Sequence, residues 1–168
     1  MKNVLVLSIV LFFLSCSHNN KQSTGNYTNE DKIIDSSKKL KYEIGSNYFV
    51  KNNFNSSLID KSYIDSRDVF DSIFGVARTM SAQSIPTEID FETEIVIPII
   101  LDQTNIGSTI TIDSVSLSGH QLNVNYTVTE VELISYVIQP SELIIIKKKD
   151  ILDLDSLKLK FEKTTKVL

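Results

Sequence analysis

Residues 110–128 read ITIDSVSLSGHQLNVNYTV, and this stretch predicts a β-hairpin. Apolar and polar residues alternate from Leu122 to Val128, which is the period of a strand with one buried face. Before the turn, the apolar positions change parity after Ile112, as a β-bulge would cause. The turn itself is expected at residues 118–121, around Gly119. Two antiparallel strands, the first of them bulged, therefore form the centre of the predicted fold.

The segments on both sides of this hairpin have the composition of further short strands. Residues 95–101 form an apolar run, and Pro98 within it has no N–H to donate, which places this strand at a sheet edge or gives it a bulge. Additional strands are predicted at residues 133–138, 143–147 and 157–161, with a strand or hairpin at residues 42–50. Six or more short antiparallel strands indicate a mainly β protein, either an antiparallel sandwich of immunoglobulin-like type or a related open barrel.

One segment has helical rather than strand periodicity. Its apolar residues are Val69, Phe70, Ile73, Phe74, Ala77 and Met80. This spacing predicts one amphipathic helix over about residues 67–80, with Asp65 or Ser66 as its N-cap. We expect the helix to cover one face or one end of the sheets.

The N-terminus predicts export and lipid attachment. Lys2 precedes an apolar stretch at residues 4–14, which is shorter than the roughly 20 residues of a membrane span but typical of a signal peptide. The stretch ends at Cys16, the only cysteine of the chain, and resembles the lipobox of bacterial lipoproteins. That resemblance implies a signal peptide at residues 1–15 and a membrane anchor of acyl chains such as palmitate on Cys16.

Location and domain organisation follow from the same region. Residues 17–21 contain no acidic cluster, which favours the periplasmic face of a Gram-negative outer membrane over the cell surface. Residues 16–41 have the composition of a flexible tether, and residues 42–168 are expected to form a single β-rich domain. The 17 basic and 21 acidic side chains give a formal charge of −4, which argues against nucleic acid as a partner.

Candidate catalytic residues are few, and none is accompanied by the other residues that a catalytic site needs. His18 falls in the tether and His120 in the predicted turn, and the chain has no Gly-x-Ser-x-Gly elbow. Asp90, Glu92 and Glu94 alternate as on the solvated face of a strand. We therefore predict no enzymatic activity.

A metal site is equally unsupported by the pattern of acidic residues. Asp150, Asp153 and Asp155 lack the glycine and terminal glutamate of an EF-hand loop and are typical of a connecting turn. Because Cys16 is assigned to the lipid, the mature chain has no thiol ligand either. We predict neither a metal nor a cofactor.

Turn glycines and apolar strands recur in a particular order between residues 64 and 149. They are Ile89-Asp90-Phe91, Gly107, residues 110–115, Gly119, residues 122–126, Pro140 and residues 143–147. In this order they resemble the PrcB-like family, small exported β-sandwich domains similar to chagasin-type protease inhibitors. The family is named for a lipoprotein subunit that stabilises a secreted protease complex. The resemblance implies a domain that binds an exported protein.

The predicted partner-binding segment lies between the first two core strands. It consists of Thr104, Asn105, Ile106, Gly107, Ser108 and Thr109, and we expect it to be an exposed loop with Ile106 near its tip. Members with an inhibitor-like loop carry Thr-Gly-Gly-Tyr here, and Ser108 stands where the second glycine would be. We therefore expect this segment to bind a partner rather than to inhibit a protease directly.

Two functions are compatible with the sequence. The first is a non-catalytic envelope lipoprotein that binds and stabilises an exported protein partner, such as a protease complex. The alternative is a module that binds glycan or peptidoglycan fragments through exposed aromatic rings. The candidate rings are Tyr42, Tyr48, Tyr63 and Tyr136.

Overall fold

The computed structural model describes residues 37–55, 62–77 and 85–168, and these are mainly β. Their strands are β1 (Lys38–Lys39), β2 (Glu43–Gly45), β3 (Tyr48–Val50), β4 (Phe74–Val76), β5 (Glu94–Ile100), β6 (Thr104–Ser118), β7 (Gln121–Ile138), β8 (Ser141–Lys147) and β9 (Lys158–Val167). A helix, α1, covers Arg67–Ile73, and a turn of 3-10 helix covers Lys148–Asp150. No helix in the described ranges has both the length and the apolar character needed to cross a membrane.

The strands form three sheets. The first sheet has the order β1-β6-β7-β9, the second has the order β2-β8-β5, and β3 pairs with β4. All pairs are antiparallel except β7 with β9. The predicted fold class, a mainly β sandwich with one helix, is confirmed.

A single folded ribbon forms the centre of both large sheets. β5 pairs with β8 from Glu94↔Lys147 to Ile100↔Ser141, and β6 then pairs with β7 from Thr104↔Ile138 down to the turn. Only residues 101–103 and 139–140 separate the two halves of this ribbon. The ribbon is folded on itself, because apolar residues of β5 and β8 pack in one cluster with those of β6 and β7.

The apolar core lies in two layers on either side of the second sheet. Ile95, Ile97 and Ile144 pack toward the first sheet, together with Val115 and Val124. On the opposite face, the core residues are Val50, Ile64, Phe70, Ile73, Phe74, Ile89, Val96, Leu143 and Ile145. β5 and β8 are therefore buried on both faces, which explains why their sequences are continuous apolar runs.

The details predicted for the central hairpin are confirmed. The register of β6 against β7 shifts between Ile112 and Ser114, so Asp113 is the bulged residue. Gly119 has φ +58°, the left-handed conformation that glycine adopts at low cost. Leu122, Val124, Tyr126 and Val128 are all buried.

Pro98 lies on an edge strand, as predicted. β5 has β8 on one side, and on the other side the one strand-like pairing among the described residues joins Val96 to Ile64 through two hydrogen bonds. Because N–H directions alternate along a strand, residue 98 faces the same edge as Val96. The missing N–H of Pro98 thus removes no bond to β8.

The helix is shorter than predicted. It ends at Ile73, and Phe74–Val76 is strand β4 rather than the last helical turns. β4 pairs with β3, and Gly75 lies directly against the ring of Phe49: a Cβ at residue 75 would be 2.5 Å from its Cζ. Close packing of this glycine under an aromatic ring favours the strand over continued helix.

Three strand predictions also need correction. Residues 133–138 are the end of β7 and not a separate strand. The final strand is twice as long as predicted, and it pairs in parallel with β7. Residues 42–50 contain strands, as predicted, but these form no hairpin with each other, because β2 pairs with β8 whereas β3 pairs with β4.

The ordered domain includes residues that the sequence assigned to the tether. Lys38 and Lys39 pair with Leu117 and Ser116 of β6, and Leu40 is only 3% exposed. One apolar side chain thus fastens this segment to the core before Tyr42. Residues 16–36, including Cys16, lie outside the described residues.

Candidate partner-binding surface

At the place where the ribbon folds, β7 contains more residues than the part of β6 with which it pairs. From Thr104↔Ile138 to Ile106↔Leu133, β6 advances two residues while β7 advances five. From there to Ser108↔Glu130, β6 advances two and β7 advances three. The surplus residues of β7 have no partner opposite them in β6, so this part of the strand bulges out of the regular ladder.

The bulged stretch presents four large apolar side chains to solvent, which we call the apolar corner. They are Val131, Leu133, Tyr136 and Val137, with exposed fractions of 45%, 73%, 64% and 64%. Val167 is 75% exposed and pairs with Glu130 at the near end of the bulge, so it adds to the same end of the sheet. All four lie within seven residues of one strand, and large exposed apolar patches are typical of binding surfaces.

The predicted binding loop is not a loop. Thr104 to Thr109 belong to β6 and pair with the bulged part of β7. Ile106 is partly buried opposite Leu133, and its N–H donates to the Thr104 hydroxyl at 3.1 Å. The length of the segment thus reflects strand pairing, and the prediction of a loop with Ile106 near its tip is wrong.

Gly107 gives this segment a specific role in shaping the corner. A Cβ at residue 107 would lie 2.7 Å from Cγ2 of Val131, and 3.6 Å from Cγ2 of Ile134. Only glycine lets the bulged strand approach β6 this closely. The predicted segment supports the exposed surface, and the apolar side chains come from β7.

A change in the parity of apolar residues along the sequence also marks the apolar corner. Val131 and Leu133 are apolar on odd positions, whereas Ile134 and Tyr136 are apolar on even ones. The same change of parity predicts the bulge after Ile112. Applied here, it would have indicated a second bulge near residue 133.

The four tyrosines do not form an exposed platform. The hydroxyl of Tyr42 donates to the Ile112 carbonyl at 3.3 Å, and that of Tyr48 donates to the Thr87 carbonyl at 2.8 Å. Tyr63 is 5% exposed and donates to the Leu154 carbonyl. Only Tyr136 of this group offers an exposed ring, and it belongs to the apolar corner.

His120, Ser156 and Asp153 form a polar cluster at the opposite end of the ribbon, beside the β6–β7 turn. The Ser156 hydroxyl donates to Oδ2 of Asp153 at 2.5 Å and lies 2.9 Å from Nδ1 of His120. In a catalytic triad the carboxylate orients the imidazole and the imidazole accepts the serine proton. Here the serine proton goes to the carboxylate, so the arrangement differs from that of an activated nucleophile.

This cluster instead joins two turns. Asp153 also accepts from the Asp155 N–H at 3.1 Å, and the Lys158 N–H donates to the His120 carbonyl at 2.9 Å. The Ser156 hydrogen bond is the main cause that lowers the pKa of the exposed Asp153 carboxyl. The network holds the start of β9 against the β6–β7 turn.

The remaining acidic candidates are separated in the structure. Asp90 and Glu92 lie in a turn rather than on a strand face: Asp90 accepts from the Thr93 hydroxyl at 2.8 Å and from the Glu92 N–H at 3.1 Å. Glu94 alone enters β5, where it is buried and paired with Lys147. Asp150 pairs with Lys38 at 3.7 Å. No group of three potential metal ligands comes together in residues 37–55, 62–77 and 85–168.

No family model, curated protein or solved structure matches this chain.

Proposed function

We propose that this chain is a non-catalytic lipoprotein of the cell envelope that binds and stabilises an exported protein partner. The apolar corner carries the proposal. Its four side chains lie on one bulged stretch of β7 and are 45–73% exposed. Exposed apolar patches mark protein interaction sites, and Tyr136 is of a residue type that is enriched among those supplying most of the binding energy.

The composition of the corner fits a protein partner better than a glycan. Three of its four members are aliphatic, and a single tyrosine accompanies them. Sugar recognition by stacking needs exposed rings, and the other three candidate tyrosines donate their hydroxyl protons to backbone carbonyls within the fold. Protein binding is therefore the function we propose, in preference to binding of glycan fragments.

Anchoring through Cys16 completes the proposal. A lipid on that residue would hold the domain at a membrane without any membrane-binding surface of its own. The first described residue, Ser37, lies about twenty residues further along the chain. If the intervening residues form the flexible tether that the sequence predicts, they would span roughly 25 Å and let the domain reach a neighbouring envelope protein.

A comparative capture experiment tests the function. The lipidated chain is used as bait in detergent-solubilised envelopes of its host, beside a Leu133→Asp, Val137→Asp variant. Leu152→Asp is the matched control, because Leu152 is 89% exposed and lies in the connection before β9. The corner variant is expected to lose a partner that wild type and control both retain. Equal capture by all three proteins would contradict the proposal.

A further inference from the structure

A groove runs between the end of β5 and the edge strand β9. Its central cavity has a volume of about 320 Å³ and is lined by Pro98, Ile100, Phe161 and Phe54, among others. A second cavity of about 340 Å³ adjoins it at Ser62 and extends to Leu159. A third, of about 390 Å³, shares Ile100 with the central one and extends to Lys163. The three cavities follow β9 over several residues, and the middle one has a mixed lining, in which Ser62, Asp102 and Gln139 accompany the apolar side chains.

β9 presents one backbone edge along this groove. β9 is the last strand of its sheet, and no strand among the described residues pairs with its outer edge. At the two ends of the parallel ladder, the Lys158 N–H donates to the carbonyl of His120, directly before β7, and the Leu168 N–H donates to the carbonyl of Glu130 in β7. Because directions alternate along a strand, even-numbered residues face β7. The N–H and C=O groups of Leu159, Phe161, Lys163, Thr165 and Val167 therefore point outward.

The two faces of β9 differ in character. Leu159 packs against the core and Phe161 lines the central cavity, so the odd-numbered side chains lie on the inner face. The even-numbered side chains lie on the outer face. These are Lys158, Lys160, Glu162, Thr164 and Lys166. Lys160 pairs with Glu162 at 2.8 Å, and the net positive charge of this face contrasts with the formal charge of −4 for the whole chain.

We propose that β9 takes up an extended segment of a partner polypeptide as an added strand, an inference that rests on the proposed function and supplies its binding mode. Backbone hydrogen bonds to the odd-numbered residues give affinity, as in other cases of strand addition. On the inner face the segment places apolar side chains beside Leu159 and Phe161. On the outer face it places Asp or Glu opposite the lysines, where opposite charges across strands are favourable. The ligand is thus an alternating apolar and acidic strand.

A second copy of this chain fits the same edge in some registers and is disfavoured in others. Antiparallel pairing of two β9 strands about Lys163 sets Lys163 against Lys163 and Lys160 against Lys166. Pairing about Glu162 sets Glu162 against itself and Lys158 against Lys166. Like charges directly opposite each other are unfavourable, and lysines on an edge strand discourage self-association. Pairing about Phe161 or Thr164 instead sets Glu162 against a lysine, so the net positive charge of the outer face favours an acidic segment, and dimerisation through β9 is one of the outcomes that the test distinguishes.

A defined peptide tests the proposal. The probe is an acetylated and amidated peptide of alternating Glu and Val, about nine residues long, the length of one long strand. It is titrated into the full chain in detergent, and amide hydrogen exchange is followed by NMR. Binding should slow exchange at the odd-numbered amides of β9 and leave the even-numbered ones, already bonded to β7, unchanged. The matched peptide of alternating Lys and Val should not bind.

Two variants at one residue isolate the backbone contact. Lys163→Ala keeps the outward N–H, whereas Lys163→Pro removes it and leaves the bonds of even-numbered residues to β7 in place. The proline variant should bind the acidic peptide about tenfold more weakly than the alanine variant, which corresponds to one hydrogen bond of about 1.4 kcal/mol. Two results would overturn strand addition at β9. The first is an equal affinity of both variants for the acidic peptide, and the second is slower amide exchange at even-numbered as well as odd-numbered residues.

The remaining outcomes separate this inference from the proposed function. If the peptide fails to bind while the corner variant still loses its envelope partner, strand addition is refuted and the proposed function stands. If the chain dimerises through β9 instead, the occupant proposed here is wrong. If the peptide binds and the corner variant retains every partner, strand addition is supported and the apolar corner is not the interface.

Discussion

Oε1 of Glu94 lies 2.6 Å from Nζ of Lys147 across the β5–β8 pair, although Glu94 is only 6% exposed. The other carboxylate oxygen accepts from the Asp90 N–H at 2.8 Å. The hydrogen bond to Glu94 is the main cause that raises the pKa of Lys147. The buried carboxylate is thus satisfied on both oxygens, and it ties the turn before β5 to the end of β8.

Replacing Glu94 should therefore cost more than removing an exposed ion pair. Glu94→Ala leaves the Asp90 N–H and the Lys147 ammonium without their acceptor, and should lower the free energy of unfolding by about 2 kcal/mol. Glu162→Ala is the control, because Glu162 forms a 2.8 Å pair with Lys160 that is half exposed on both sides. Such a pair contributes less than about 1 kcal/mol. Equal denaturation midpoints for the two variants would show that the buried pair has no special role.

The alternation along β7 predicts a large asymmetry between two neighbouring residues. Val124 is fully buried, so Val124→Asp should lower the free energy of unfolding by about 3 kcal/mol or more through an unpaired buried charge. Asn123 lies on the other face and accepts a hydrogen bond from Gln121 at 2.7 Å, which an aspartate would keep. Asn123→Asp should cost less than about 1 kcal/mol. Urea denaturation of both variants measures the difference, and similar shifts would contradict this register.

The regular alternation of apolar and polar residues made the central hairpin predictable from the sequence. The pairing of strands that are distant in sequence was not predictable in this way. Residues 122–128 and the bulge at Asp113 follow from local side-chain period alone. The parallel partner of β9 does not, because nothing within that strand specifies which neighbour it joins. The early end of α1 depends on Phe49, a residue distant in sequence that packs over Gly75. Tertiary contacts of this kind override local propensity.

Gly107 should be sensitive to even the smallest added side chain. Gly107→Ala places a Cβ 2.7 Å from Cγ2 of Val131, and overpacking of this kind costs about 1 to 3 kcal/mol. A Val131→Ala change in the same chain should restore much of the loss by vacating that space. The measurement is thermal unfolding of the single and double variants. A double variant whose two losses simply add would show that the glycine and the valine are not in contact.

Two exposed turns should contribute separately to the loss of folding stability at acid pH. Hydrogen bonds from Thr93 and Ser156 are the largest causes that lower the pKa values of Asp90 and Asp153, respectively. A carboxyl group whose pKa is lowered by folding stabilises the fold at pH values above its ordinary pKa of about 3.8. This stabilisation is lost as the pH falls through the lower pKa of the folded state. Thr93→Val should raise the pKa of Asp90 alone, and Ser156→Ala that of Asp153 alone. NMR titration of the side-chain carboxyl carbons tests this, and a shift at both sites in either variant would contradict it.

Attachment to the membrane should depend on one atom, the Cys16 sulfur. A lipid is joined to a lipoprotein through that sulfur, so Cys16→Ser removes the acceptor while changing the side chain by a single atom. Each buried methylene of an acyl chain contributes about 0.8 kcal/mol to membrane binding, and loss of the chains should move the protein out of the detergent phase or leave it as an uncut precursor. Ser15→Ala is the control, because it keeps a small residue before the cysteine and should leave partitioning intact. Phase separation and the mass of the mature N-terminus are the two measurements. A Cys16→Ser protein that partitions and is processed like wild type would exclude lipid attachment at this residue, and the proposed function would then need a different means of reaching the envelope.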